Sequence, residues 1–266
     1  MSQHTPHDVR RDTYCAKMFR TPGFPHTYDN VIYHPDSHDT FIWHLQRQRL
    51  LQIIRDVSKT TSCIKYFDFA CGTGRIISTL EHFVSDAVGL DISSQALAIA
   101  ESKVSRAVLK CGDIIEQPNI VDYDYDVITA FRFFLNVDAE PELQGRIMSS
   151  LASRLRKSSG RLIFNTHGNP YSTYGLGSLC GAARGHKYRA SLSYPEVRRL
   201  VDQAGLEIES WFGFGICPGR AVTRGNLRPV GRRIDSWAAR QPFLRWISRD
   251  LLFVSRLKTQ RGSTSQ

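Results

Sequence analysis

The sequence contains no long apolar run, because no stretch of its 266 residues approaches the roughly 20 consecutive apolar residues that a membrane-spanning helix requires. Its first twenty residues are polar and of mixed charge, so they lack the apolar centre of a signal peptide. A hydrophobic content of 41% is ordinary for a chain with a buried core. These observations lead us to expect a cytoplasmic globular protein.

Cysteine pairs are also missing. The six cysteines are scattered, with no C-x-x-C pair and no histidine at the spacing of a zinc ligand. A disulfide framework or a structural zinc site would need such spacing. We therefore expect reduced thiols and no bound metal.

Acidic residues are few, and the formal net charge is +10. The imbalance is strongest in the Arg-rich segment, residues 220–249, where eight arginines face a single acid, Asp235. A basic surface favours anionic partners such as phosphates, nucleic acid or an anionic membrane. The same composition is also typical of a helical insertion whose arginines point into solvent. Both interpretations are open at this point.

Apolar periodicity predicts a helix over residues 39–57, with Asp39 or Thr40 placed to cap its start. Strand and helix patterns then alternate, which is typical of an open, mostly parallel sheet covered on both faces. The predicted strands are 63–70, 86–92, 106–113, 125–131, 160–166, 206–215 and 250–257. The predicted helices between them are 74–84, 93–104, 141–157 and 193–205.

Small residues follow the first predicted strand, where Asp68 precedes Ala70, Gly72 and Gly74. Glycine lets a ligand lie against bare backbone, so this turn predicts a binding site at the carboxyl edge of the sheet. A dinucleotide-binding turn would carry a third glycine where Ile77 stands, and the sequence has no G-x-x-x-x-G-K-[ST] run for a phosphate loop. Pyrophosphate binding is therefore disfavoured.

The pattern Asp68-x-Ala70-x-Gly72-x-Gly74 resembles the first motif of the class I, Rossmann-like S-adenosylmethionine-dependent methyltransferases, usually D-x-G-x-G-x-G. Alanine replaces glycine at the second place of that motif. The resemblance extends over residues 40–257 and implies a doubly wound, mostly parallel seven-stranded sheet with helices on both faces. It also implies that the cofactor is S-adenosylmethionine, with these four residues at its methionine and ribose portion.

Further landmarks of the family follow in order. The resemblance places Asp91, at the end of the second strand, on the ribose hydroxyls of the donor, with Ile92 beside it. It places Asp113, at the end of the third strand, on the adenine amino group, with Ile114 beside it. Phe131, which follows the fourth strand, is the remaining predicted contact with the donor.

The acceptor is indicated mainly by elimination. The stretch "AFRFFLN" after the fourth strand lacks the Pro-Pro pair of enzymes that methylate exocyclic amines of bases. A hydroxyl acceptor usually needs a general base, and His167 at the end of the fifth strand is the candidate catalytic residue. A structural or orienting role for His167 is the alternative. Arg132 can pair with an acidic group of the acceptor or with a nearby aspartate.

The sequence thus predicts O-methylation of a small molecule or of a lipid-linked saccharide, such as a sugar of a lipopolysaccharide or lipochito-oligosaccharide. An RNA methyltransferase and a non-catalytic domain that retains the cofactor fold are the alternatives. We expect an N-terminal extension with a lid-like helix (1–57), a methyltransferase domain (58–257) with insertions at 167–192 and 215–248, and a polar tail (258–266). The Arg-rich segment has the composition of a lid packed on the domain with its arginines outward, which is the commoner arrangement, and also that of a contact with the inner face of an anionic membrane.

Overall fold

A computed structural model describes residues 28–134, 141–172, 192–218 and 227–259, together with Pro25 and Gly175. Most of the predicted insertion at 167–192, part of that at 215–248 and most of the polar tail lie outside these ranges. The predicted domain boundaries therefore stay predictions.

One seven-stranded sheet forms the centre of the molecule. Its strands are β1 (Lys65–Phe69), β2 (Asp86–Asp91), β3 (Val108–Cys111), β4 (Val127–Ala130), β5 (Arg161–His167), β6 (Leu206–Phe214) and β7 (Asp250–Leu257). The helices are α1 (His38–Ser58), α2 (Ile77–Leu80), α3 (Ser94–Glu101), α4 (Pro141–Ala152), α5 (Tyr194–Gln203) and α6 (Arg228–Ala238). A π-helix (Tyr28–Ile32) and two 3₁₀ helices (Glu81–Phe83 and Pro242–Ile247) complete the described elements. None of these helices has both the length and the apolar character needed to cross a bilayer.

The strand order is β3-β2-β1-β4-β5-β7-β6, and β7 alone runs antiparallel to its neighbours. The order reverses between β1 and β4, which pair directly. In doubly wound sheets the crevice at such a reversal, beyond the carboxyl ends of the strands, is where ligands bind. The predicted fold class is confirmed.

Helices cover both faces of the sheet because successive strand residues point in opposite directions. In β4, Ile128 joins the core that contains α4 and α5, whereas Val127 joins the core that contains α1, α2 and α3. Tyr66 and Phe67 of β1 divide between the two cores in the same way. The central strands β1 and β4 are therefore buried on both sides, as their continuous apolar runs predict.

Helix α1 begins one position earlier than predicted. Ser37 is its N-cap residue, and the Ser37 hydroxyl accepts a hydrogen bond from the Thr40 backbone N–H at 3.0 Å. The expectation that Asp39 or Thr40 caps the helix was wrong. As a result, the Asp39 carboxylate is available for contacts elsewhere.

Candidate functional site

The glycine turn, residues 70–74, follows β1 at the edge where the strand order reverses. Ala70, Gly72 and Gly74 all have positive φ angles, of 54°, 54° and 81°. A residue with a side chain is destabilised by about 1–2 kcal/mol in this left-handed region. The Ala70 backbone is therefore strained, whereas the glycine of the usual motif would not be. The turn closes with a 3.0 Å hydrogen bond from the Gly74 N–H to the Cys71 carbonyl.

The missing side chain has a different structural effect at Gly72 and at Gly74. A Cβ atom on Gly72 would meet nothing within 4 Å, so its missing side chain leaves open space above the turn. A Cβ atom on Gly74 would lie 2.8 Å from the Cβ atom of Ala100, which is closer than real contacts allow. Gly74 is therefore needed for close packing against α3. The contact of Gly72 and Gly74 with a ligand stays a prediction.

Asp91 joins the end of β2 to the glycine turn. Its Oδ2 atom accepts a hydrogen bond from the Gly72 N–H at 2.8 Å, and its Oδ1 atom accepts one from the Ser93 N–H at 2.9 Å. Burial raises the pKa of this carboxyl group above its ordinary value. A carboxylate can accept about four hydrogen bonds, and Asp91 also receives one from the Ile92 backbone, so it retains capacity for a further donor beside the open space over Gly72.

Asp113 lies at the same edge, since the Gly112 N–H donates to the Asp91 carbonyl at 3.0 Å. The Asp113 carboxylate is half-buried and accepts a hydrogen bond from the Ile115 N–H at 2.8 Å. Ile92 presents 37% of its surface to solvent, whereas Ile114 is buried in the core. The contact of the donor with these residues stays a prediction.

Asp68 connects β1 with β4 beneath the turn. Thr129 donates to the Asp68 carboxylate at 2.6 Å, and the Tyr66 hydroxyl lies 2.6 Å from the Thr129 hydroxyl. The Asp68 side chain is almost fully buried, and this burial raises its pKa to about 7. The geometry gives Asp68 a role in holding the two central strands together; its predicted contact with the donor stays a prediction.

The segment before α1 lies against the glycine turn. Asp29 accepts a hydrogen bond from the Thr73 hydroxyl at 2.7 Å and forms an ion pair with Lys103. The Arg75 guanidinium carbon lies 4.0 Å from the ring centre of Tyr33 and 4.6 Å from that of Trp43. These cation–π contacts attach the N-terminal segment to the predicted donor site.

Phe131, directly after β4, is buried and meets Trp43 edge to face, with ring centres 6.2 Å apart. The Trp43 ring therefore contacts both Arg75 of the turn and the predicted donor residue Phe131. The arrangement fits the prediction of a lid-like first helix, which stays a prediction.

A second group of polar residues, here called the charged cluster, lies at the ends of β4 and β5. His167 is the last residue of β5 and pairs in antiparallel register with Asp250, the first residue of β7. Its Nδ1 atom is 2.6 Å from the Asp250 carboxylate, and its Nε2 atom contacts the Arg249 guanidinium. The full cluster consists of His38, Asp39, Arg132, His167, Arg249 and Asp250.

Charges balance within this cluster. Burial opposes ionisation of Asp250, but His167 and Arg249 outweigh it and lower the pKa of Asp250 to about 2. Burial likewise acts against Asp39, yet Arg132 and Arg249 hold its pKa below the ordinary value. Burial, with help from Arg249, lowers the pKa of His38 to about 4. At neutral pH two carboxylates thus face two guanidinium groups, with His38 uncharged.

Arg132 connects the cluster to the N-terminal segment. Its guanidinium lies 2.9 Å from Asp39 and donates to the Tyr33 hydroxyl at 3.1 Å. Its backbone has a φ of 57°, and its N–H donates to the Asn165 side-chain oxygen at 2.6 Å. Of the two partners expected for Arg132, the structure contains the aspartate. Backbone strain of this kind concentrates at functional positions.

The position of His167 has a consequence for its predicted role as a base. With a proton on Nδ1 facing Asp250, the lone pair of Nε2 faces Arg249. The imidazole can accept a proton from an acceptor only after the Arg249 guanidinium has moved away. Asn169, expected beside it, instead donates to the Trp246 and Ser248 carbonyls and is buried. The catalytic assignment of His167 stays a prediction.

Sequence reasoning missed four members of this cluster: His38, Asp39 as a site residue, Arg249 and Asp250. Arg249 was counted only within the Arg-rich segment. The one available signal was the Arg-Asp pair at the start of the last predicted strand, because a charged pair is unusual where a buried strand begins.

Comparison with known proteins agrees with this geometry. Residues 67–158 match the methyltransferase domain family. The fold is similar to magnesium protoporphyrin IX methyltransferase from Synechocystis PCC 6803 with bound S-adenosylhomocysteine (14% identity, TM-score 0.59, 95% of this chain and 100% of that one). It is also similar to an S-adenosylmethionine-dependent methyltransferase from Clostridium acetobutylicum ATCC 824 (16% identity, TM-score 0.55, 89% and 98%). No curated protein sequence is significantly similar to this one.

Proposed function

We propose that this chain is a class I, Rossmann-like S-adenosylmethionine-dependent methyltransferase, and that it methylates a hydroxyl group of a small molecule or of a lipid-linked saccharide. The observation that supports a hydroxyl is His167, which stands at the carboxyl edge of the sheet with Asp250 on its Nδ1 atom. A hydroxyl must lose its proton when it is methylated, and a histidine beside a carboxylate can take that proton.

The residues present fit the donor. When bound, S-adenosylmethionine supplies an electrophilic methyl group on a sulfonium that leaves readily. The open space over Gly72 has room for it, and Asp91 has unused acceptor capacity at the rim of that space. Ile92 is the partly exposed apolar side chain beside Asp91. These residues bind and orient the donor, while Trp43 and Phe131 exclude water from one side.

Replacement of Asp91 by alanine tests the donor site. A carboxylate that accepts hydroxyl hydrogen bonds forms charge-assisted interactions. We expect a tenfold to hundredfold loss of donor affinity, since hydrogen bonds to a charged group contribute about 1.5–3 kcal/mol. Titration calorimetry with S-adenosylmethionine measures it. Asp86→Ala, at the exposed start of the same strand, is the matched control. Unchanged affinity in a folded Asp91→Ala variant would contradict the assignment.

The acceptor is tested by transfer of a labelled methyl group from the donor to a panel of lipid-linked saccharides, free saccharides, small hydroxylated molecules and RNA. We expect label on a hydroxyl oxygen of one of the first three classes. Label on RNA would instead establish the nucleic-acid alternative, which the +10 charge favours. Donor binding without transfer to any class would support the non-catalytic alternative.

A further inference from the structure

Exposed apolar side chains are concentrated in one stretch of the chain, residues 227–247. Of the twelve large apolar side chains that are exposed in the described ranges, seven lie there. They are Leu227, Val230, Ile234, Trp237, Phe243, Trp246 and Ile247. Isolated exposed apolar residues are normal at a protein surface, but a concentration of this kind marks an interaction site.

Helix α6 explains the pattern. Leu227, Val230, Ile234 and Trp237 recur at helical spacing on its outward face, and Trp237 is 54% exposed. The opposite face is buried through Gly231, Asp235 and Ala238. The helix is therefore amphipathic with a second apolar stripe, directed away from the core, that nothing in the described residues covers.

The charges around this stripe have one sign. Residues 227–247 contain five arginines, of which Arg233 and Arg240 are classed as exposed. The single acid of the stretch, Asp235, is buried and accepts hydrogen bonds from the Ile216 and Cys217 N–H groups at 2.9 Å each. The outward face of α6 thus combines tryptophan and aliphatic side chains with arginines, and the exposed carboxylate beside it, that of Asp36, is paired with Arg228.

We infer that the outward face of α6 forms a docking surface for an anionic lipid bilayer. Its aromatic and aliphatic side chains enter the boundary between headgroups and acyl chains, while flanking arginines attract anionic headgroups. A nucleic acid would be attracted by the arginines but would leave Val230, Ile234 and Trp237 without a partner. A bilayer offers acyl chains to the apolar side chains and anionic headgroups to the arginines.

Two contacts connect this part of the chain to residues that lie close in sequence to members of the charged cluster. The Asn169 side chain, two residues after His167, donates to the Trp246 and Ser248 carbonyls, at 2.8 and 2.9 Å. On α6, Arg228 forms an ion pair with Asp36, close to the start of α1. If the proposed function holds, docking brings the acceptor side of the cleft beside the membrane, where a lipid-linked saccharide would be found.

Vesicle binding tests the docking surface without requiring methyl transfer. The protein is sedimented with vesicles of phosphatidylcholine alone and of phosphatidylcholine mixed with phosphatidylglycerol. We expect binding to the anionic vesicles, lowered about tenfold or more by Ile234→Ser with Trp237→Ser and by Arg233→Gln with Arg240→Gln. Phe83→Ser with Val108→Ser removes exposed apolar groups elsewhere, and Arg47→Gln with Arg55→Gln removes exposed charge on α1. Both controls should bind within about twofold of the parent.

Several results would overturn the inference. These are no sedimentation with anionic vesicles, equal losses in the controls, or a dimer of the parent that disappears in the Trp237 variant. An RNA complex that depends on Arg233 and Arg240, without vesicle binding, would overturn it as well. Donor affinity of each variant, measured by calorimetry, establishes that it is folded. A protein that docks but transfers no methyl group would leave this inference standing and reject the proposed function.

Discussion

Replacing His167 with alanine is expected to lower turnover about 10²–10⁴-fold while donor affinity stays nearly unchanged. The reason is that, in the proposed function, the imidazole is oriented by Asp250 through a 2.6 Å contact and takes the hydroxyl proton once the Arg249 guanidinium has moved from its Nε2 atom. Single-turnover methyl transfer and calorimetry together separate the chemical step from donor binding.

Two further variants sharpen this test. His44→Ala removes an exposed histidine on α1 and should leave turnover unchanged. His167→Gln retains a side-chain amide but cannot act as a base, so it should be as slow as the alanine variant. Recovery of activity in the glutamine variant would assign His167 a positioning role. A folded His167→Ala enzyme with normal turnover would reject the base and weaken the preference for a hydroxyl acceptor.

Replacing Gly72 with valine is expected to lower donor affinity by about a hundredfold or more, since overpacking a filled site costs about 1–3 kcal/mol and the Asp91 geometry is disturbed as well. The added side chain would project into the open space above the turn. The φ angle of 54° also makes valine strained there. Calorimetry measures the affinity, and thermal unfolding measures the accompanying loss of stability.

Gly205→Val is the matched control for strain. Gly205 has a φ angle of 75° and open space around its missing Cβ atom, but it lies between α5 and β6. The junction from a helix into a strand belongs to the edge of the sheet opposite the predicted donor site. The control should lose comparable stability and keep its donor affinity. Equal affinities in the two variants would show that the space over Gly72 does not receive the donor.

The strands and the glycine turn could be predicted because their signals are local. A buried strand appears as an apolar run, and the sharp turn after β1 needs small residues in consecutive order. The ends of β2 and β3 were found in the same way, since Asp91 and Asp113 directly follow such runs. All of these features depend on neighbours within a few residues.

Features that depend on distant neighbours could not be predicted. The motif requires a small residue at position 74, but only the structure shows that Ala100 of α3 occupies the space beside it. The helix predicted over 74–84 is shorter, because the Glu81 carboxylate turns inward and accepts hydrogen bonds from the Ser105, Arg106 and Ala107 N–H groups. Nothing in the residues around Glu81 indicates these partners.

The charged cluster shows the same limit most clearly. His38 and Asp39 belong to the start of α1, whereas Arg249 and Asp250 introduce the last strand. Their contact depends on the insertion of β7 between β5 and β6. From the sequence alone, His38 and Asp39 can be interpreted only as the start of a helix, and Arg249 and Asp250 only as the start of a strand.

The position of β7 also has a consequence for biosynthesis. The ribosome releases β1 to β4, with the turn and Asp91, long before it reaches Arg249 and Asp250. Strands β1, β2, β3 and β4 pair only with one another and with β5, so this half has its sheet partners early. The Asp250 partner of His167, in contrast, belongs to β7, which is synthesised more than eighty residues later. This strand must insert between β5 and β6. A nascent chain would therefore complete the glycine turn and its contact with Asp91 before the charged cluster around His167 can form.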